Sequence, residues 1–277
     1  MADLSRVKGF RFNSVSVENS SGGDIFLLDV DKSAVPSMLY SEFNIPNRDG
    51  ALIKLTRYEN KLITVTIGVY GITATERRIK ERNLMKDMLG IQGKLIFCDE
   101  PNLFYNAYVV DEVSRKETST FTELGITFSA SPCMYELYDD LRDYAIDELA
   151  GYSVSNLNGI LVNKAAWQSI TTRTVKTVIN SGNYKALPTI CISGTASLVT
   201  VQINDTAFNV SNISGMVYVN GEKMICYTYS TGSKVSKLAD FTGIFPVVLP
   251  GNNTVIIDGS NLAIIELSVE YPNTYIV

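Results

Sequence analysis

The sequence predicts a mainly β protein made of two β-sandwich-type domains, the first carrying a single packed α-helix. Three observations lead there. Thr73 to Gly90 is the one stretch whose pattern is unambiguously that of a helix. Elsewhere, short runs rich in Val, Ile, Thr and Tyr alternate apolar with polar residues between Gly, Pro, Asn and Asp turns. A chain of 277 residues is long for one sandwich and suits two domains of ordinary size.

The helix has a start, a face and a stop. Thr73 and Glu76 stand at capping-box spacing, Ile79, Leu84, Met85, Met88 and Leu89 form one broad apolar stripe, and Gly90 suits a left-handed end. Before it, Phe10 to Asn19 and Asp24 to Val30 read as strands around the turn residues Ser20 to Gly23. A turn-rich stretch, Asp31 to Asn44, leads to the strong local turn Asp49-Gly50, then to Leu52 to Tyr58 and to the long strand Leu62 to Tyr70. After the helix come strands at Lys94 to Cys98, Leu103 to Val113 and Phe121 to Ala130, and Ser131-Pro132 ends the pattern. These elements bound a first domain at 1–135.

The stretch 136–170 reads as a linker. Within it, Glu136 to Gly151 places Leu137, Leu141, Ile146 and Leu149 among Asp139, Asp140, Asp143, Asp147 and Glu148, which fits either a short acidic helix or an extended segment. Gly151 to Ala166 then turns to Ser, Asn and Gly without a period. From 171 to 277 strand signals resume at Thr174 to Ile179, Pro188 to Ser193, Leu198 to Ile203, Ala207 to Val210, Met216 to Val219, Lys223 to Tyr229, Thr254 to Asp258 and Ala263 to Tyr271. Short strands at this spacing predict a second sandwich.

Composition excludes several classes of function. A net charge of -5 and the lack of any dense run of Lys and Arg argue against direct nucleic-acid binding. There is no run of about 20 apolar residues to insert into a membrane, and Met1 to Arg11 has no signal-peptide pattern, so the expected place of assembly is the cytoplasm. The Asn-x-Ser/Thr triplets at Asn19, Asn204, Asn209, Asn212 and Asn252 then read as turns. Cys98, Cys133, Cys191 and Cys226 are too widely spaced for a zinc site and read as small buried apolar residues.

Without a single histidine, the sequence has no Ser-His or Cys-His pairing and none of the commonest general base, so no catalytic residue, metal or cofactor is assigned. The acidic cluster from Asp139 to Glu148 reads as a solvated face rather than a glycosidase pair. Asp29 and Asp31 share one face of a strand, where they suit a cation or simply a strand end leading into a polar loop. Trp167 suits either stacking on a sugar ring or packing beside a linker.

The order of motifs carries a resemblance. Pro46-Asn47-Arg48-Asp49-Gly50, Tyr58-Glu59-Asn60, a helix ending in Met88-Leu89-Gly90, Leu95 to Pro101 and Tyr105 to Val109 together resemble the distal tail protein (Dit) family of long, non-contractile-tailed phages. Asn47 departs from the family's usual glycine but also tolerates a left-handed backbone. Asn180-Ser181-Gly182, Leu187 to Ile190, Asn220-Gly221-Glu222, Phe245-Pro246 and Leu249 to Asn253 are similar to the second domain of that family.

The resemblance implies a galectin-like or carbohydrate-module-like second domain and a hairpin arm on the first, with Pro46, Arg48, Asp49, Gly50, Leu52 and Tyr58 at an oligomer interface. It implies a non-enzymatic virion structural protein, a hexameric ring at the tail tip or baseplate. Its partners would be the tail tube protein, a tail-associated hub protein and receptor-binding or other peripheral baseplate proteins. The alternative expectation is a lectin-like module that itself binds host cell-wall glycan through the second domain.

Overall fold

The structure is a computed structural model that describes residues 9–18, 23–33, 35–44, 51–118, 120–137, 152–157 and 159–276. The chain divides into two compact units, Met1–Met134 with Ile276–Val277, and Tyr135–Tyr275. Both are built of strands, as the sequence predicts.

In the first unit the strands are β1 (Gly9–Phe12), β2 (Val15–Glu18), β3 (Ile25–Lys32), β4 (Met38–Asn44), β5 (Ala51–Tyr58) and β6 (Lys61–Tyr70), followed by α1 (Ala74–Met88). Then come β7 (Gln92–Phe97), β8 (Leu103–Glu117) and β9 (Phe121–Ala130), and the short β10 (Met134–Glu136) starts at the last residue of this stretch and runs into the second unit. Seven of these lie side by side in the order β2-β1-β7-β8-β9-β6-β3. Laid flat, such a row is about 29 Å across, whereas the seven-residue step from Glu18 at the end of β2 to Ile25 at the start of β3 reaches at most about 25 Å. The sheet must therefore curl upon itself. Phe10, Phe12, Val17, Ile63, Val65, Ile67, Leu95, Phe97, Leu124, Ile126 and Phe128 fill the space it encloses. Phe128 contacts the rings of both Phe10 and Phe12 at centroid distances of 6.1 and 5.1 Å.

The helix begins where its cap predicts. The Glu76 amide donates to Thr73 Oγ1 at 3.1 Å, the Glu76 carboxylate accepts from the Ile72 amide at 3.0 Å, and Gly90 takes φ +73° after the last turn. Its buried face differs from the expected stripe. Ile79 and Leu89 point outward, and Arg77, Glu81, Leu84 and Met88 point inward.

Two charges on the inner face are tolerable because both are paired. Arg77 donates to the Gly71 carbonyl at 3.0 Å and to Glu117 at 3.4 Å, while Arg115 forks onto Glu81 at 3.0 and 3.4 Å and reaches Glu117 at 3.2 Å. The network ties α1 to β8.

The second unit contains β11 (Tyr152–Leu157), β12 (Ile160–Ile170), β13 (Thr174–Asn180), β14 (Thr189–Ile203), β15 (Thr206–Asn220), β16 (Ile225–Ser230), β17 (Ser233–Ser236), β18 (Phe241–Gly243), β19 (Gly251–Ser260), β20 (Ala263–Pro272) and β21 (Thr274–Tyr275). One layer runs β11-β12-β20-β14-β15-β16-β17; the other joins β13, β19 and β18 to the opposite halves of β14 and β15. Two strands thus serve both layers.

Residues Thr189 to Thr195 of β14 pair with β20, and Leu198 to Ile203 pair with β19. Its inward residues change from Ile190, Ile192 and Ala196 to Val199, Val201 and Ile203, so the strand turns over as it crosses. Gly194 faces Gly215 at the bend, with φ of +141° and +101°, values that favour glycine.

Part of the expected linker is sheet. Residues 152–157 and 160–170 form β11 and β12, and Leu161, Val162, Ala165, Trp167 and Ile170 of β12 are buried. Cys133 and Cys226 are buried as expected, but Cys98 is exposed and Cys191 half-buried. Asn204 stands in a turn with a left-handed backbone as expected, but Asn209 and Asn212 lie within β15 and Asn252 within β19, and Asn19 lies outside the described residues.

Two predictions follow from this packing. Arg115 holds the Glu117 carboxyl below its ordinary value of 4.5, and Lys80 together with the Ile72 amide does the same for Glu76. Carboxylates lowered in the fold contribute stability above the ordinary value and lose it as pH falls through the lowered one. Hydrogen-exchange protection of α1 will therefore hold from neutrality to the ordinary carboxylate range and fall below it, with a shallower fall in Glu117→Gln.

Gly194→Ala will lower the stability of the second domain by about 1–3 kcal/mol in urea unfolding, because its Cβ would press on the Ala263 carbonyl in a conformation L-residues avoid.

Candidate functional site

The first domain has one element outside its curled sheet. β4 and β5 pair only with each other, from Met38↔Tyr58 to Asn44↔Ala51, with an irregularity between Leu39 and Tyr40. The Glu59 amide donates to the Ser37 carbonyl at 2.8 Å, and Asn60 Nδ2 donates to Ser129 Oγ at 3.0 Å, which anchors the base of the hairpin. Beyond that base it is bare.

Cross-strand pairing puts Tyr40, Glu42, Ile53 and Leu55 on one face and Ser41, Phe43 and Lys54 on the other. Ile53 is 65% exposed, Phe43 55% and Tyr40 49%, so neither face is covered. Polar contacts within the hairpin include Ser41 Oγ and Thr56 Oγ1, 2.7 Å apart, the Tyr40 hydroxyl, which donates to Met38 Sδ at 2.9 Å, and Arg57, which meets Glu59 at 3.5 Å. A two-stranded ribbon with no packed face is marginal in water. Exposed large apolar side chains on both faces mark a surface meant for covering.

Of the hairpin residues singled out in the sequence, Pro46, Arg48, Asp49 and Gly50 lie outside the described residues. Leu52 stands opposite Phe43 in the register, and Tyr58, half-buried, closes β5 opposite Met38. Sequence reasoning missed Met38, Tyr40 and Phe43, which sit in the stretch read as mixed and turn-rich. The alternation of Met38, Tyr40 and Glu42 with Leu39, Ser41 and Phe43 mixes apolar and polar residues on both faces, which hides the strand.

Trp167 does not stack on solvent-borne sugar. Its side chain is 8% exposed, belongs to the core of the second domain and faces Leu267 across the strand pair. The aromatic surface of that domain lies instead at Tyr218, Tyr227 and Tyr229: the first two rings stack at 5.1 Å, and the third stands edge-on to both. Burial raises the first two hydroxyls above their ordinary range. Asp139, Asp140, Asp143, Asp147 and Glu148 lie outside the described residues. Asp29 and Asp31 stand on the exposed outer face of β3, and no cluster of acidic, cysteine or histidine side chains suited to a metal occurs among the described residues.

Residues 13–130, which span β2 to β9 and contain the hairpin, match the family described as the phage tail protein RIFT-related domain. The match lies within the first domain. Across both domains the fold matches the crystal structure of the SPP1 Dit (gp 19.1) protein, described as a paradigm of the hub adsorption apparatus in phages infecting Gram-positive bacteria. The match has a TM-score of 0.64 at 15% identity and covers 97% of this chain and 99% of that one, a likeness of fold. No curated protein sequence matches the chain. The resemblance to distal tail proteins read from the motifs is borne out.

The bare hairpin predicts weak protection of its backbone. Amides of β4 and β5 will exchange with solvent much faster than those of β6 in dilute protein. Equal protection of β4, β5 and β6 in the monomer would contradict the bare hairpin.

Proposed function

We propose that the protein is a non-enzymatic structural adaptor of a phage tail tip or baseplate. In this reading copies of the first domain join in a hexameric ring that connects the tail tube protein to a tail-associated hub protein and to receptor-binding or peripheral baseplate proteins. The observation that carries it is a tail-protein domain whose β4–β5 ribbon presents apolar side chains on two uncovered faces. A neighbouring copy supplies the cover. The number six rests on the family resemblance alone.

The reading places the protein in the virion, at the tail tip, with assembly in the host cytoplasm and without direct contact to nucleic acid or insertion into membrane. An acidic chain of net charge -5 suits a protein partner better than phosphates. The fold match to a Dit hub protein supports the adaptor role at the level of architecture. Burial of Trp167 removes the side chain on which the lectin reading leaned.

The test is a double substitution on the exposed face of β5, Ile53→Asp with Leu55→Asp. Both side chains are outside the core, so the thermal unfolding midpoint of the monomer should stay as it is, while the ring disappears in sedimentation velocity. A hexamer that persists in the variant would overturn the role of the hairpin in assembly.

A further inference from the structure

The outward face of α1 carries Arg78, Arg82 and Lys86 at successive four-residue steps, all exposed and none in an ion pair among the described residues. Arg82 Nε does no more than donate to the Arg78 carbonyl at 3.3 Å. Like charges at this spacing destabilise a helix. Neighbouring cations on the same helix behave otherwise: Lys80 binds Asp24 at 3.0 Å and Glu76 at 2.7 Å.

The same domain carries the opposite arrangement elsewhere. Asp29 and Asp31 project from the outer face of β3, opposite Thr66 and Thr64 of β6, exposed and without an ion pair among the described residues. The nearby Lys32 points to the other face, where it binds Asp99 at 3.2 Å and Glu100 at 3.8 Å. Helix and strand repeats match here: four helical residues advance about 6 Å and two strand residues about 6.6 Å. Two guanidinium groups on α1 and two carboxylates on β3 are therefore spaced to meet as pairs. Beside each stands an exposed apolar group, Ile79 on α1 and Leu62 on β6.

We propose that α1 of one copy docks on the β3–β6 outer face of a second copy, with Arg78 and Arg82 pairing Asp29 and Asp31 and Ile79 packing on Leu62. The two surfaces are different patches of one domain, so the contact is head-to-tail, the kind that closes a ring. The proposal rests on the ring reading and names a contact for it that is separate from the hairpin. Charge complementarity selects the second copy as the occupant.

Charge reversal tests it. Arg78→Glu with Arg82→Glu, and separately Asp29→Lys with Asp31→Lys, should each raise the concentration for half-assembly by about tenfold or more, since like charges then face each other. An equimolar mixture of the two variants should assemble again, because every mixed contact restores opposite charges, and one chain carrying all four changes should assemble alone. Wild-type assembly should weaken with added salt, which screens exposed pairs and needs no variant to fold.

Assembly by either variant at wild-type concentration and salt would overturn this contact and leave the ring reading standing. Assembly lost in both variants without recovery in the mixture would also overturn the pairing. A wild-type chain that stays monomeric at its highest soluble concentration would overturn the ring and this contact together.

Discussion

A row of seven paired strands whose first and last members are joined by a short step of chain cannot be flat, and the first domain follows from that constraint. Curling brings Phe128 against both Phe10 and Phe12 and gives the sheet an inside. The same closure leaves α1 only a rim to pack on, which it meets with Leu84, Met88 and two charges held by partners on the sheet and at the helix entry. β4 and β5 stay outside that row and pair with each other. The hairpin keeps large apolar side chains exposed on both of its faces.

Much of this was legible in the residues. The helix ends were readable because Thr73, Glu76 and Gly90 act locally, through hydrogen bonds within one turn and a single dihedral. Strong alternation in Leu62 to Tyr70 and Phe121 to Ala130 told which side of each strand is dry.

Where reading failed, the inward residue was not conventionally apolar or the partner was distant in sequence. Arg77 and Glu81 look like solvent-facing charges until Glu117 and Arg115 are brought to them across the fold. β12 uses Ala165 as an inward residue between Lys164 and Ala166, which blurs the period, and a linker was read in its place. The hairpin's hydrophobes were hidden for the reverse reason: no face is buried within the chain, so no periodicity records one.

Uncovered groups of two kinds remain on the first domain. Tyr40, Ile53 and Leu55 on the ribbon, and the unpaired charges of α1 and β3, lie on different parts of one domain and have different chemistry. One is apolar and insensitive to salt; the other is electrostatic and sensitive to it.

The continuity of β14 and β15 through both layers of the second domain has a mechanical meaning. In a sandwich whose layers touch only through side chains, a pull on one layer is resisted by packing alone, and the layers can slide. Here two lengths of covalent backbone run from one layer into the other, hydrogen-bonded to each other from Thr189↔Asn220 to Ile203↔Thr206. Tension applied to β20 on one side reaches β19 on the other along the chain itself, so the layers bear load as a single body and yield only by unzipping that central ladder.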